Sequence, residues 1–371
     1  MILGSYKRKD GRWEAYVIYE DPDTGEKRKK GFYCTSGFGS ESKRQRNKFV
    51  EKIESGDYSD ICKLTVAGWL GRYFNVYCSN LAQTTMDGYK NYIDNHIIPF
   101  LGELKLNKLK PINIQKFYNS ERDKNFSETT ILQEHRILHR AFKKALGDGL
   151  ISRNPCDGVD APSPEGYKPT IYTEQQYSDL LNKLKGHRME AIILLAGMCG
   201  LRRGELLGLC WEDIDTTAAT VCVKRAIVPT SKGIITKDPK NKTSSRTISI
   251  PSSISMALKR LRGIGKLFTR KNGKDYNPGS VSRYFKEFLE VNGLPHIRLH
   301  DLRHFNGTMM LKYGVTEREA SARMGHSNLM MTKKYQHVVA DMDQLSADKL
   351  NGVLTKKEIT TSPSISPSTQ I

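Results

Sequence analysis

CGLRRGELLGLCWEDID, residues 199–215, directly follows Ala191–Met198, a run that is apolar on every side. A helix with no polar face must be buried, so the run marks the core of a sizeable domain. What comes next is opposite in character: a glycine, two arginines, a second glycine and a glutamate. An arginine just past a buried helix has two readings. It is an ordinary solvated helix terminus, or it stands in a cleft beside the core, where a guanidinium can grip an anion. The stretch alone leaves both open.

Three further strings lie downstream. NKTSSRTISIP (241–251) sets Lys242 in a hairpin-like charged turn next to Arg246. LHDLRHFNGTMML (299–311) sets His300 and Arg303 three apart, on one face of a helix. MGHSNLMMTKKYQH (324–337) sets His326 in a turn and Tyr335 on a short helix after it. Each has a commonplace explanation when taken singly: a charged turn, a polar pair, a capping histidine, a surface tyrosine. Taken together, Arg202, Lys242, His300, Arg303, His326 and Tyr335 run in the order R…K…H-x-x-R…H-x8-Y. With that order and spacing the chain resembles the tyrosine recombinases, the phage-integrase family. Cys199 departs from the threonine that many members carry before the glycine.

The resemblance implies a chemistry. Strand exchange breaks and rejoins phosphodiesters without external energy, so a covalent enzyme–DNA intermediate must conserve the bond. Tyr335 would be the nucleophile, and Arg202 and Arg303 would hold the non-bridging oxygens with rigid, bidentate donors. Lys242 would protonate the departing 5′-hydroxyl and His300 would act as general acid/base. His326 would donate to a non-bridging oxygen. Glu205 would stand behind them, orienting an arginine or His300. No step calls for a metal or cofactor, and neither a C-x-x-C pair nor an acidic triad stands out. The same residue set would also serve a type IB topoisomerase-like enzyme, and a non-catalytic DNA-binding protein could retain the fold.

Working back from the motifs, the chain reads as a multidomain α+β protein. Residues 168–350 form a mixed, mainly-α catalytic domain with a small antiparallel sheet. It opens on a capping box, Thr173 with Gln176, and holds strands over Ile214–Val228 and Arg246–Ile250. Residues 63–160 read as all-α and resemble the family's core-binding (SAM-like) domain. Residues 1–58 read as a three-stranded sheet with one helix, resembling the arm-type DNA-binding module of integrases from mobile elements. Its DNA-facing candidates are Lys7, Arg8, Arg12, Lys27, Arg28 and Lys29; charged gatekeeping of edge strands explains them equally well. Residues 351–371, rich in Ser, Thr and Pro, read as a disordered tail. Before it, Val338–Leu350 carries apolar anchors that pack either on a neighbouring subunit or on their own domain.

Composition narrows the class from outside. The 371 residues carry a formal net charge of +19. Residues 161–345 hold 29 basic and 17 acidic side chains, so the excess concentrates where a phosphate backbone would be gripped. The seven scattered cysteines suggest a reducing cytoplasm, and the family resemblance implies a bacterial one, with nucleoid association when DNA is bound. No run approaches the roughly 20 apolar residues of a membrane span, and the start lacks a signal-peptide core. The partners that the family resemblance implies are double-stranded DNA attachment sites of core and arm types, a homotetramer on DNA, a small excisionase and a host DNA-bending protein.

Overall fold

The computed structural model describes residues 1–21, 25–34, 39–59, 61–167, 169–237, 245–261, 263–270 and 273–325. The chain separates into two compact units, one spanning Met1–Gly166 and one beginning at Tyr167. The fold is α+β. Among the described residues no helix is long and apolar enough to cross a membrane.

The first unit starts with an antiparallel meander of β1 (Ile2–Lys7), β2 (Trp13–Glu20) and β3 (Lys27–Cys34). Alternation along β2 turns Ala15, Val17 and Tyr19 inward. There they meet Phe49 and Val50 of α1 (Ser40–Glu54), which close a small core of their own. The helical block follows: α2 (Val66–Tyr77), α3 (Gln83–Tyr92), a π-helical turn at Ile93–Ile97, α4 (Ile98–Leu101), α5 (Pro111–Asp123) and α6 (Glu128–Gly147). Thr65 and Ser127 cap α2 and α6 with their side-chain oxygens, and Pro111 opens α5. A second core fills this block around Trp69, Phe117, Tyr118 and Phe142. The Trp69 indole donates to the Ala141 carbonyl at 3.0 Å, so even its one polar atom is satisfied. Glu121 and Glu134 are buried in the same block. Burial, and then the charge of Glu121, push the Glu134 carboxyl up to about 8.

The second unit contains α7 (Glu174–Leu184), α8 (Glu190–Cys199), α9 (Arg203–Gly208), β4 (Ile214–Asp215), β5 (Thr220–Val223), β6 (Ala226–Thr230), β7 (Gly233–Lys237), β8 (Arg246–Ser249), α10 (Ser252–Arg260), α11 (Pro278–Val291), α12 (Asp301–Lys312) and α13 (Glu317–Met324). The Thr173/Gln176 capping box forms and starts α7. Helix α8 is buried along nearly its whole length at the centre of the largest core and packs on α12.

The strand-forming stretch expected over Ile214–Val228 is divided among three strands, β4, β5 and the start of β6. The Asp215 carboxylate accepts the N–H groups of Thr217 and Ala218, both at 2.8 Å, which turns the chain between β4 and β5. The chain then leaves the first sheet, since β6 pairs with β7 in a hairpin while β5 pairs with β8. The hairpin expected around Lys242 falls on residues 238–244, which lie outside the described residues. Lys242 itself lies outside the described residues, as do the expected helix at 328–337, the segment 338–350 and the tail.

The glycines of the 199–215 stretch are a packing device. Gly204 and Gly208 lie four apart on α9, and that face rides against β6 and the residue before it. A Cβ on Gly204 would stand 2.8 Å from the Ile227 carbonyl oxygen, and one on Gly208 2.8 Å from that of Arg225. Both clashes are with backbone, which cannot swing aside. Gly208→Ala is expected to destabilise the second unit by about 1–3 kcal/mol, the usual cost of overpacking. Denaturant midpoints of the two full-length proteins check this, and an unchanged midpoint refutes the close approach.

Candidate active site

Helix α8 ends at Gly200, whose φ of 61° is the left-handed conformation of a helix C-terminus. That reversal presents Arg202 as the N-cap residue of α9 and Glu205 in its first turn. The Arg202 backbone N–H donates to Glu205 Oε2 at 2.9 Å, and its Nη1 donates to Glu205 Oε1 at 2.9 Å. Its Nη2 donates to the Gly325 carbonyl, also at 2.9 Å.

Arg303 reaches the same place from α12. It is buried, donating from Nη1 to the Gly200 carbonyl and from Nη2 to the Met324 carbonyl at 2.7 Å. A third guanidinium, Arg246, arrives from the start of β8. Its Nε donates to the Arg323 carbonyl at 2.9 Å, and its Nη atoms lie 3.0 and 3.2 Å from the two Glu205 oxygens. Three arginines from distant parts of the chain thus hold the carbonyls of three consecutive residues, 323–325, at the end of α13. The last turn of a helix has carbonyls without intrahelical partners and carries partial negative charge, so cations belong there.

Glu205 is the counter-ion. Burial alone would push its carboxyl up, but the hydrogen bonds and charge of Arg246, with help from Arg202, hold it below the ordinary value. It contacts arginines, and no contact with His300 is seen.

His300 immediately precedes α12 and is exposed. Protein atoms crowded around its imidazole, and then the Arg303 charge, hold it below the ordinary histidine value, so it is neutral at pH 7. His304 stands edge-on to it at 5.4 Å between ring centroids. Burial, with His300 second, lowers His304 to about 4. Asp301 is buried beside them. It accepts from Arg298 at 3.0 and 3.1 Å and from the Tyr167 hydroxyl at 2.8 Å.

The structure therefore brings together Arg202, Arg303 and Glu205. Lys242, His326 and Tyr335 lie outside the described residues; Gly325, which Arg202 holds, is the residue before His326. Sequence reasoning missed Arg246, Asp301, Arg298 and Tyr167. Arg246 had a signal, since it shares a string with Lys242, but it reads there as one more charge in a turn.

The basic candidates of the N-terminal sheet divide. Lys29 lies over the Tyr16 ring at 4.3 Å, on the face away from α1, and pairs with buried Glu14 at 3.2 Å. Arg8 also pairs with Glu14, at 3.3 Å, and stands 5.3 Å from the Tyr33 ring centroid. Arg12 is held by Asp10 at 2.7 Å and Arg28 by Asp21 at 2.9 Å. Among the described residues, only Lys7 and Lys27 of the six have no acidic group within ion-pair distance.

Comparison with known proteins fits this geometry. The sequence profile of the phage integrase family matches residues 171–342, and that of the phage integrase N-terminal SAM-like domain matches residues 65–122. A tyrosine recombinase XerC-like protein of Caldanaerobacter subterraneus subsp. tengcongensis is 30% identical over 368 residues, covering 89% of this chain and 93% of that one. The ICEBs1 integrase of Bacillus subtilis is 24% identical, covering 74% and 81%. Among solved structures, the Tn1549 transposon integrase in complex with a circular intermediate DNA aligns with a TM-score of 0.68 at 21% identity, over 76% of this chain and 99% of that one. A lambda integrase dimer bound to a core site aligns with a TM-score of 0.58 at 20% identity, over 89% and 93%. The chain belongs to the phage integrase family, the tyrosine recombinases, which cleave and rejoin DNA strands.

The Glu205 network makes a testable claim about stability. Glu205→Gln leaves buried Arg246 without its carboxylate and is expected to cost about 3 kcal/mol at pH 7. Because the folded carboxyl sits below its unfolded value, this contribution is complete above the ordinary carboxylate range. It disappears as pH falls through the folded value. Denaturant midpoints of wild type and variant should therefore converge in acid; a gap unchanged at low pH would contradict the assignment.

Proposed function

We propose that this recombinase integrates and excises a mobile element or prophage through a 3′-phosphotyrosyl intermediate formed by Tyr335. Arg202, Lys242, His300, Arg303 and His326 would complete the cleavage apparatus, with Glu205 behind the arginines. One observation carries the reading: Arg202 and Arg303, about a hundred residues apart in sequence, donate to adjacent carbonyls at the residues that lead into His326.

In the cleavage step the Tyr335 oxygen bonds to phosphorus as the bond to the 5′-oxygen breaks. The tyrosine proton passes to His300, which is neutral and able to accept it. Lys242 protonates the departing oxygen. Arg202 is partly exposed; its two named side-chain bonds use two of five N–H donors, leaving three for a non-bridging oxygen. Arg303 is buried on main-chain carbonyls, so its contact with a phosphate requires the 324–325 turn to shift when DNA binds. Rejoining is the same step reversed on a different 5′-hydroxyl.

The remaining parts follow from this reading. Residues 168–350 act as the catalytic domain and 63–160 as the core-binding domain, the two gripping a core site. Residues 1–58 engage arm sites, with Lys7 and Lys27 as the side chains available to phosphates. Assembly is a homotetramer on two DNA sites, assisted by a small excisionase and a DNA-bending protein, in a bacterial cytoplasm. Lambda integrase, whose tetramer has been seen bound to a Holliday junction, matches this chain with a TM-score of 0.58.

A nicked suicide substrate carrying the element's own end sequence tests the chemistry. Wild type should form a denaturation-resistant, protease-sensitive adduct, and Tyr335→Phe none. Adducts from both would move the nucleophile elsewhere, while tight binding without any adduct would indicate a non-catalytic DNA-binding protein. Arg202→Ala should slow adduct formation by about 10²–10³-fold, the scale of losing one preorganised anion donor. The same assay run against pH reports on His300. As a proton acceptor with a lowered value, it should place the acidic limb of the rate below pH 6.5, and His300→Gln should remove that limb.

A further inference from the structure

His96, Glu121 and Glu134 come from three elements of the helical block. Glu121 lies on α5 and Glu134 on α6. His96 sits in the π-helical turn Ile93–Ile97, whose extra residue per turn changes the direction in which side chains leave the helix. The three meet. His96 Nδ1 is 2.9 Å from Glu121 Oε2 and 3.0 Å from Glu134 Oε1, and one ligand atom from each residue lies within 4.8 Å of the other two.

A single imidazole nitrogen carries at most one proton, so it can satisfy one of these carboxylates but not both. Glu121 has a further partner, Lys124 Nζ at 2.8 Å from its other oxygen. Glu134 does not. It is fully buried, and neither of its oxygens takes part in a hydrogen bond among the described residues. Two buried carboxyls against one lysine leave one of them to be neutralised, either by a proton held on Glu134, whose carboxyl is pushed up to about 8, or by a cation.

We propose that His96, Glu121 and Glu134 bind a divalent cation of the zinc class. One imidazole and two carboxylates form a nitrogen and oxygen donor set suited to zinc, with water as the fourth ligand. Ligand atoms about 2.0–2.2 Å from zinc in a tetrahedral shell stand about 3.3 Å apart, so the present separations need to open by a few tenths of an ångström. Water can enter beside His96, the only one of the three that solvent reaches. The ion would pin the π-helical turn to α5 and α6 and so stiffen the helical block. It takes no part in strand transfer, and none of its ligands belongs to the arginine cluster. Sequence spacing hid the group, because its members lie 25 and 13 residues apart with nothing of a metal motif about them.

The test uses the full chain, stripped with a chelator and titrated with Zn²⁺ alone, with Co²⁺ as a spectroscopic probe in parallel. Wild type should take up one Zn²⁺ per chain, unfold at a higher temperature with Zn²⁺ than without, and give Co²⁺ d–d bands of low coordination number. Glu134→Gln and His96→Gln should each weaken Zn²⁺ binding by at least about tenfold. Glu134→Ile puts an apolar side chain in the buried position; it should stay folded without metal and show no Zn²⁺-dependent shift. The proposal is overturned if wild type binds no Zn²⁺ at micromolar concentration, a result that leaves a shared proton as the occupant. It is equally overturned if Glu134→Gln or His96→Gln binds Zn²⁺ as tightly as wild type, which places the ion elsewhere.

Discussion

Helix α13 ends in three carbonyls, those of Arg323, Met324 and Gly325, and a different arginine holds each one. The arrangement of the arginine cluster depends on that grip. Arg246 brings the start of β8, Arg303 brings α12, and Arg202 brings the α8–α9 junction. Arg323 of the same turn donates to the Met198 carbonyl at 3.3 Å and Arg303 to that of Gly200, so the end of α8 is held in the same way. Two helix C-termini, each with carbonyls lacking intrahelical partners, are thus cross-linked by guanidinium groups. Three cations this close repel one another. The carbonyl dipoles offset part of that repulsion and the Glu205 carboxylate, buried between Arg202 and Arg246, offsets more. A site meant to stabilise added negative charge gains from such an arrangement, because its donors are already gathered when the charge develops.

The same constraint explains what the sequence revealed and what it hid. The buried helix α8 was legible because nothing in Ala191–Met198 can face water. The Thr173 cap was legible because its partner is three residues away, and local chemistry settles it. Arg202, His300 and Arg303 were singled out, with Lys242, His326 and Tyr335, by their order and spacing, whereas Glu205 entered only through the family resemblance. Arg246 was not, because its importance comes from burial between Glu205 and Gly325, and burial is a property of the packed chain. The β6–β7 hairpin was missed for a related reason. The run Ile214–Val228 is rich in β-branched residues throughout; its first break comes from the Asp215 side chain capturing backbone N–H groups, and its second is the change of sheet between β5 and β6. Tyr167 carried no pattern at all; only the fold brings its hydroxyl to Asp301.

Charge counting fared worst at the N-terminus. The β-sheet module looks basic when its lysines and arginines are counted. In the structure Glu14 lies buried among Tyr6, Arg8 and Lys29, accepting from the Tyr6 hydroxyl at 2.8 Å. Asp10 and Asp21 take Arg12 and Arg28. Much of the apparent positive charge is spent inside the module, so the field it projects is weaker than composition implies. On the face away from α1, Lys29 lies against the Tyr16 ring while paired with Glu14, so that surface combines aromatic rings with cations already matched by a buried carboxylate.

Two buried clusters of charge, one in each unit, now invite comparison. Around Glu205 every described charge has an opposite partner or a helix terminus, and the carboxyl is held below its ordinary value as a result. Around Glu134 the reverse holds: its only close polar neighbour among the named contacts is an imidazole nitrogen already directed at Glu121. Burial is similar in the two cases, so burial does not explain the difference; the supply of counter-charge does. In the second unit that supply is arginine, which keeps its charge wherever the Glu205 carboxyl is ionised. In the helical block it is one exposed lysine and one histidine, so a proton on Glu134, whose carboxyl is pushed up to about 8, or the proposed cation makes up the difference. A chain that builds a fully compensated cluster in one place and an under-compensated one in another is complete in the first and, in the second, has left room for a cation.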